Sequence, residues 1–255
     1  MNMADVKGKV VLITGGGKGI GYGIATAFAK AGAKIAITGR TAATLERAKR
    51  ELEEKYGAEV LMLQGDGGEE ETVNEIVRQV AEHFGGLDVL INNAMASKSG
   101  TSLVDHTKKD FDLAMYSGVY ATFFYMKAAF PYLKERKGSV INFASSAGFS
   151  GKPGQASYAA SKEGIRGLSR VAATEWGEFG INVNVVAPLV MTEQLEAWRK
   201  QFPDVYEKTI QNIPMQRFGD AEKDVGRVCV FLASEDAKYI SGETIAVQGG
   251  TALRP

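Results

Sequence analysis

Tyr158 and Lys162 stand four residues apart in Tyr158-Ala159-Ala160-Ser161-Lys162, with Ser145 thirteen residues upstream. Residues four apart on a helix share a face, so the phenol and the ammonium become neighbours. A free tyrosine titrates near ~10, and a nearby cation favours its phenolate. Tyr158 is therefore expected to act as a general acid/base near working pH. A serine hydroxyl at the end of a strand could hold a reacting oxygen and steady its charge. A Tyr-x-x-x-Lys alone reads by default as a solvated helix face, so its context decides.

That context begins at the amino end. Thr14-Gly15-Gly16-Gly17-Lys18-Gly19-Ile20-Gly21 follows the apolar run Val10-Val11-Leu12-Ile13 and opens a helical stretch. Glycines between a strand and a helix let the backbone approach a pyrophosphate, whose charge is held by amides at the helix start. Thr14, Gly15, Gly17, Lys18, Gly19, Ile20 and Gly21 are thus candidate dinucleotide contacts. The spacing differs from the Gly-x-Gly-x-x-Gly of most dinucleotide folds. It is not an ATP phosphate loop either, because Gly19 follows Lys18 where Ser or Thr is required.

The second strand ends in Ile37-Thr38-Gly39-Arg40-Thr41. A carboxylate there would bond the ribose 2′-hydroxyl of NAD, but this stretch has none. Arg40 instead places a guanidinium where a 2′-phosphate could be clamped, with Lys18 as a second cation. The reading favours NADP over NAD. Asp66, after the third strand, is a candidate adenine contact or a plain loop carboxylate.

Other chemistries find little support. His83 and His106 lie in polar contexts and are read as surface residues, and neither completes a Ser-His-Asp set. No Gly-x-Ser-x-Gly elbow and no Cys/His cluster with metal spacing occurs, so no metal is expected.

The elements that must position these groups alternate. Val10–Ile13, Lys34–Ile37, Val60–Leu63, Leu87–Ile91, Ser139–Phe143, Ile181–Val186 and Thr244–Val247 read as strands. Near-continuous Val, Ile and Leu suits strands buried on both faces. Between them Ile20–Ala31, Thr41–Tyr56, Glu69–Phe84, Lys108–Lys134, Ser157–Phe179 and Ala221–Leu232 read as helices. The expected fold is α/β: a doubly wound, Rossmann-like parallel sheet of about seven strands, with ligands at the strands' carboxyl ends. The direction of the last strand is the open point.

A chain of 255 residues fits one such domain spanning 1–255, without repeats or a linker of biased composition. Thirty Lys and Arg balance thirty Asp and Glu, so no nucleic-acid surface is expected. No stretch reaches the ~18 apolar residues of a membrane span, and Asp5, Lys7 and Lys9 interrupt any leader. The lone Cys229 fits a reducing compartment, and the expected location is cytoplasmic. Phe123, Phe124, Tyr125, Met126 and Phe130 make Lys108–Lys134 apolar on more than one face, which argues for self-association.

Thr14-Gly15-xxx-Gly19-x-Gly21, Asn92-Asn93-Ala94, Ser145, Tyr158-xxx-Lys162 and Asn184-xxx-Pro188 together resemble the short-chain dehydrogenase/reductase superfamily over essentially the whole chain. The resemblance implies a nicotinamide-dependent oxidoreductase and a homotetramer. It makes Tyr158 the proton donor/acceptor, gives Lys162 the nicotinamide ribose, and has Ser145 orient the substrate carbonyl. It extends the cofactor contacts to Asp66, Gly67, Asn92, Ala94, Pro188, Val190 and Thr192, beside Tyr158 and Lys162. It puts Met95, Ser97, Ser145, Leu189, Leu195 and Trp198 near the substrate, with a lid around 189–216.

Three positions depart from the superfamily pattern. Met95 and Leu189 replace usual glycines, and Gly118 stands where the family commonly has a catalytic Asn in mid-helix. That Asn is thought to act through its backbone carbonyl, which holds a water in the proton relay to the Lys. Glycine keeps the carbonyl, so Gly118 is expected to preserve the relay. The bulk of Met95 and Leu189 points to a pocket for an apolar substrate.

A narrower resemblance is to the bacterial 12α-hydroxysteroid dehydrogenases. It is carried by Asn92-Asn93-Ala94-x-Ala96-Ser97, Phe111–Phe123, Gly164–Gly177 and the ending Leu253-Arg254-Pro255. It implies a steroid-like substrate such as a bile acid. Met191, Leu195, Trp198, Phe202, Tyr206 and Ile210 form an amphipathic helical stripe in the lid, which suits a fused-ring molecule or simply packs on the core. Reductases of 3-oxoacyl thioesters and sugar or polyol dehydrogenases use the same machinery. Arg199 and Lys200 in the lid fit a thioester on a carrier protein. A cofactor-binding protein without turnover is the reading from a different class.

Overall fold

Val10–Thr14 (β1) is buried along its length, and its side chains alternate between two cores. Val11 and Ile13 enter one, Val10 and Leu12 the other. A strand apolar on both faces must lie inside a sheet that helices cover on both sides. The computed structural model describes residues 5–252, and it places β1 there. The chain end Leu253-Arg254-Pro255 lies outside the described residues.

Six further strands follow: Lys34–Gly39 (β2), Val60–Gln64 (β3), Val89–Asn92 (β4), Ser139–Phe143 (β5), Asn182–Pro188 (β6) and Thr244–Val247 (β7). They form one sheet of order β3-β2-β1-β4-β5-β6-β7, parallel throughout, including the last strand. The winding reverses where β4 returns to the free side of β1, and a ligand crevice belongs at that switch point.

Gly19–Lys30 (α1), Ala42–Tyr56 (α2) and Arg227–Leu232 (α10) cover one face through Ile24, Phe28, Leu45, Leu52 and Leu232. Glu70–Phe84 (α3), Ala121–Arg136 (α5) and Ala156–Trp176 (α7) cover the other through Val73, Val77, Met126, Leu133 and Ala172. Cys229 of α10 is fully buried, and burial raises its thiol pKa far above the ordinary value.

The helix expected over Lys108–Lys134 is not uniform. Lys108–Ala114 (α4) and α5 are joined by a π turn, Met115–Tyr120, which admits an extra residue without ending the helix. Gly118 lies in that turn and is buried against α7. The single lid stripe is also corrected. Glu193–Gln201 (α8) and Pro203–Gln211 (α9) are separate helices. Phe202 between them leaves the helical region at φ −135° and ψ 65°, because the proline ring disfavours a helical residue before it. Ser146–Ser150 (α6) is a short helix with no counterpart in the sequence reading.

Tyr125 and Met126 of α5 are buried, whereas Leu113, Tyr116, Tyr120 and Phe123 stay exposed along α4, the π turn and α5. Tyr116 and Tyr120 stack at 5.0 Å and Tyr120 meets Phe124 at 5.9 Å, forming an aromatic ladder on the outer surface. Among the described residues no helix is long and apolar enough to cross a membrane.

Candidate active site

A cleft of about 400 Å³ crosses the carboxyl ends of β1, β2 and β4, at the switch point. Thr14, Gly15, Gly17, Lys18, Gly19 and Ile20 line its floor, with Asp66, Gly67, Asn92, Ala94 and Thr192 around it. Gly21 does not line it. A β-carbon on Gly21 would stand 2.2 Å from the Gly15 carbonyl oxygen, so this glycine lets α1 start directly behind the loop. Gly15 itself turns at φ +68°, a conformation glycine adopts freely.

Thr14 is a tie within this frame. Its hydroxyl accepts from the Asn93 and Ala94 amides, both at 3.0 Å, joining the first loop to the end of β4. Asn92 is buried and donates to Asn142 of β5 at 2.8 Å. The glycine loop thus opens on the cleft at the start of α1, and Gly16 and Gly21 leave no room for a β-carbon behind it. Arg40 and Lys18 are exposed at its rim, and neither forms an ion pair among the described residues. Asp66 caps the Gly68 amide at 3.0 Å beside them.

The chemical group lies one strand over, beyond the residues that line the cleft. Ser145 follows β5 and caps α6, its oxygen accepting from the Ala147 amide at 3.2 Å. Tyr158 and Lys162 sit on the first turns of α7. Burial raises the Tyr158 pKa, and the neighbouring Ser145 hydroxyl offsets only part of that rise. The expected cation-lowered phenol is therefore not what the structure holds. Lys162 is itself buried, which pulls its pKa down to about 8. Its ammonium donates to the Phe143 carbonyl at 2.8 Å and lies 5.7 Å from the centre of the Tyr158 ring.

Two departures from the superfamily pattern meet here. A β-carbon on Gly118 would come within 2.1 Å of Ser161 Oγ and 3.4 Å of the Met95 methyl. Met95 and Ser161 thus fill the space that a side chain at 118 would need. Among the described residues Ser161 Oγ is buried with no hydrogen-bond partner. The Gly118 carbonyl accepts from the Ala121 amide inside the π turn, and a carbonyl has a second lone pair.

The remaining candidates are spread around this centre. Ser97 and Leu189 are half-buried in loops, and Leu189 bonds Val247 through its amide at 2.9 Å. Pro188 ends β6 and the Val190 side chain is buried in the core, so Val190 offers a ligand only its backbone. Thr192 caps α8 by accepting from the Leu195 amide at 3.2 Å. Leu195 and Trp198 are half-buried in α8, and Trp198 meets Tyr206 of α9 edge-on at 6.2 Å.

Sequence reasoning missed two contributors. Ser117 ties the Met95 loop to the π turn, its oxygen accepting from the Ala96 amide at 3.0 Å. His106, unlike the exposed His83, is half-buried and meets Ser157 of α7. No signal in the chain marks either contact. Among the described residues no group of three or more His, Cys, Asp or Glu could hold a metal ion.

The chain's relatives agree with this architecture. A family model described as Enoyl-(Acyl carrier protein) reductase matches residues 15–252. The crystal structure of a putative short-chain alcohol dehydrogenase from Sinorhizobium meliloti superposes with a TM-score of 0.90 at 34% identity, covering 97% of each chain. Levodione reductase gives 0.89 at 33% identity, covering 98% of each. The chain belongs to the short-chain dehydrogenase/reductase family and is an oxidoreductase. Among curated proteins, a 12alpha-hydroxysteroid dehydrogenase from a Clostridium species is 59% identical, over 99% of this chain and 100% of its own. The 3-oxoacyl-[acyl-carrier-protein] reductase FabG of Staphylococcus epidermidis is 35% identical, over 95% and 98%.

Proposed function

We propose that this oxidoreductase interconverts a secondary alcohol and a ketone on a hydroxysteroid, at the 12α-hydroxyl of a bile acid, with NADP(H). The full-length likeness to a 12alpha-hydroxysteroid dehydrogenase carries the substrate class. The neighbouring hydroxyls of Ser145 and Tyr158 beside buried Lys162 carry the chemistry.

The glycine cradle and the cations of Arg40 and Lys18 hold the dinucleotide. When bound, nicotinamide supplies the hydride acceptor or donor at its ring carbon C4. In oxidation the Tyr158 phenolate takes the hydroxyl proton of the substrate. Ser145 donates to the same oxygen and fixes its position. Lys162 anchors the ribose, and a water on the Gly118 carbonyl links it to solvent. Met95, Ser97, Leu189, Leu195 and Trp198 present the apolar wall, with 189–216 as the lid. The exposed aromatic ladder packs between copies in a homotetramer.

The test is NADPH formation from NADP⁺ with cholate beside chenodeoxycholate, which lacks the 12-hydroxyl. Oxidation of cholate alone is the expected result. Equal oxidation of both moves the reacting position elsewhere on the steroid, and oxidation of neither overturns the steroid reading. The second reading, a 3-oxoacyl thioester reductase, rests on the FabG likeness. Arg199, a candidate for a carrier protein's charge, is occupied by Glu196 at 2.5 Å, which weighs against it. Tyr158→Phe is expected to bind NADPH and lose nearly all rate, which separates an enzyme from a binding protein.

A further inference from the structure

The loop after β4 does more than carry Met95 and Ser97. Its far end folds back onto the segment that leads into α7. The Gly100 amide donates to the Gly154 carbonyl at 2.8 Å, and Ser99 Oγ donates to Gln155 Oε1 at 3.1 Å. Thr101 pairs with Gln155 as an isolated parallel bridge. The last contact is the deepest: His106 Nε2 lies 3.0 Å from Ser157 Oγ.

The protons of that contact can be assigned. His106 Nδ1 lies 3.2 Å from the Ser102 carbonyl, which can only accept, so Nδ1 carries the hydrogen. A neutral ring then has Nε2 as its acceptor, and Ser157 donates to it. Ser157 is fully buried, so water cannot replace a lost partner. Ser157 also immediately precedes Tyr158 on the first turn of α7.

We propose that His106 is a positioning residue, which acts through Ser157 to hold the first turn of α7, and hence Tyr158, against the loop that carries Met95 and Ser97. Reading Tyr158 as the reacting group rests on the function proposed above; the clasp itself does not. An acceptor at the Nε2 position and a donor at Ser157 are what it requires. Gln supplies such an acceptor through its side-chain amide oxygen, and Leu supplies none.

Hydrogen–deuterium exchange without substrate tests the clasp independently of activity. His106→Leu and Ser157→Ala are each expected to speed exchange in 99–107 and in the first turn of α7, leaving α1 to α3 unchanged. With cholate and NADP⁺, each is expected to lower kcat about ten-fold, the scale of one lost buried hydrogen bond, with KM for NADP⁺ within two-fold. His106→Gln should recover most of that rate. The double variant should be no slower than either single one, because both remove the same bond.

Unchanged exchange in both segments overturns the clasp. So does a loss of thermal stability with full kcat at 25 °C, or a double variant whose losses multiply. If the parent does not oxidise cholate, the proposed function fails, and the exchange result alone decides the clasp.

Discussion

A β-carbon on Gly118 would stand 2.1 Å from the hydroxyl oxygen of Ser161, far inside any contact that real side chains make. Ser161, on the second turn of α7, therefore limits what the π turn can carry. The family's usual Asn at 118 therefore fits beside this chain's Ser161 only if the serine hydroxyl turns to another rotamer or one of the two helices moves.

Gly118→Asn is accordingly expected to destabilise the fold by ~1–3 kcal/mol, the range for overpacking a filled core, and to lower kcat. Thermal melts and initial rates read both. Adding Ser161→Ala removes the nearest clash and should restore much of the loss. A Gly118→Asn protein several-fold faster than the parent would show that the glycine impairs the relay, contrary to its proposed role.

Lys162 gives a pH-dependent stability term of definite sign. Its pKa falls from 10.5 to about 8 on burial, so the folded state binds its proton less well than the unfolded state. The penalty is complete below pH 8 and fades as pH rises toward 10.5. Lys162→Met is expected to abolish turnover yet unfold at higher temperature than the parent at pH 7, by at most about 3 kcal/mol. That advantage should shrink as pH rises above 8. An advantage constant from pH 6 to 10 would contradict the burial argument.

Cofactor choice is predicted to turn on Arg40. Arg40→Asp removes a cation that can bond a 2′-phosphate and adds a carboxylate suited to a ribose hydroxyl. KM for NADP⁺ is expected to rise by roughly 10- to 100-fold, the scale of one or two charge-assisted bonds, while KM for NAD⁺ falls. Equal responses to the two nucleotides would remove Arg40 from the site.

The aromatic ladder is the surface that assembly would cover. Tyr120 is 43% and Phe123 42% exposed. A double change to Glu is expected to split the proposed tetramer into smaller species, seen by light scattering after size exclusion. Retention of the parent mass would place the interface on another face.

Much of this molecule is legible in its sequence, for stated physical reasons. Doubly buried strands must be apolar throughout, so Val10–Ile13 and its counterparts stand out, and strict alternation with helices implies a parallel sheet. The glycine loop and the Tyr158–Lys162 spacing are local, and local geometry follows from local sequence. Contacts that span the chain are not legible. His106 and Ser157 are 51 residues apart, and only the fold brings them together. The π turn leaves the apolar pattern of its helix unbroken and so gives no signal. Pro203 does signal a break in the lid, but the apolar stripe continues in phase across it and conceals two helices as one. The upward shift of Tyr158 was hidden for a related reason: its cause is burial, a property of the assembled site and not of four-residue spacing.

The one thiol in the chain sits at zero exposure on the inner face of α10, with its proton held far more tightly than that of a free cysteine. While the fold is closed, Cys229 offers neither a thiolate nor a path to it. Any alkylating reagent must wait for the helix to lift from the sheet. The rate at which this protein takes up such a label therefore clocks its own opening, without an introduced probe.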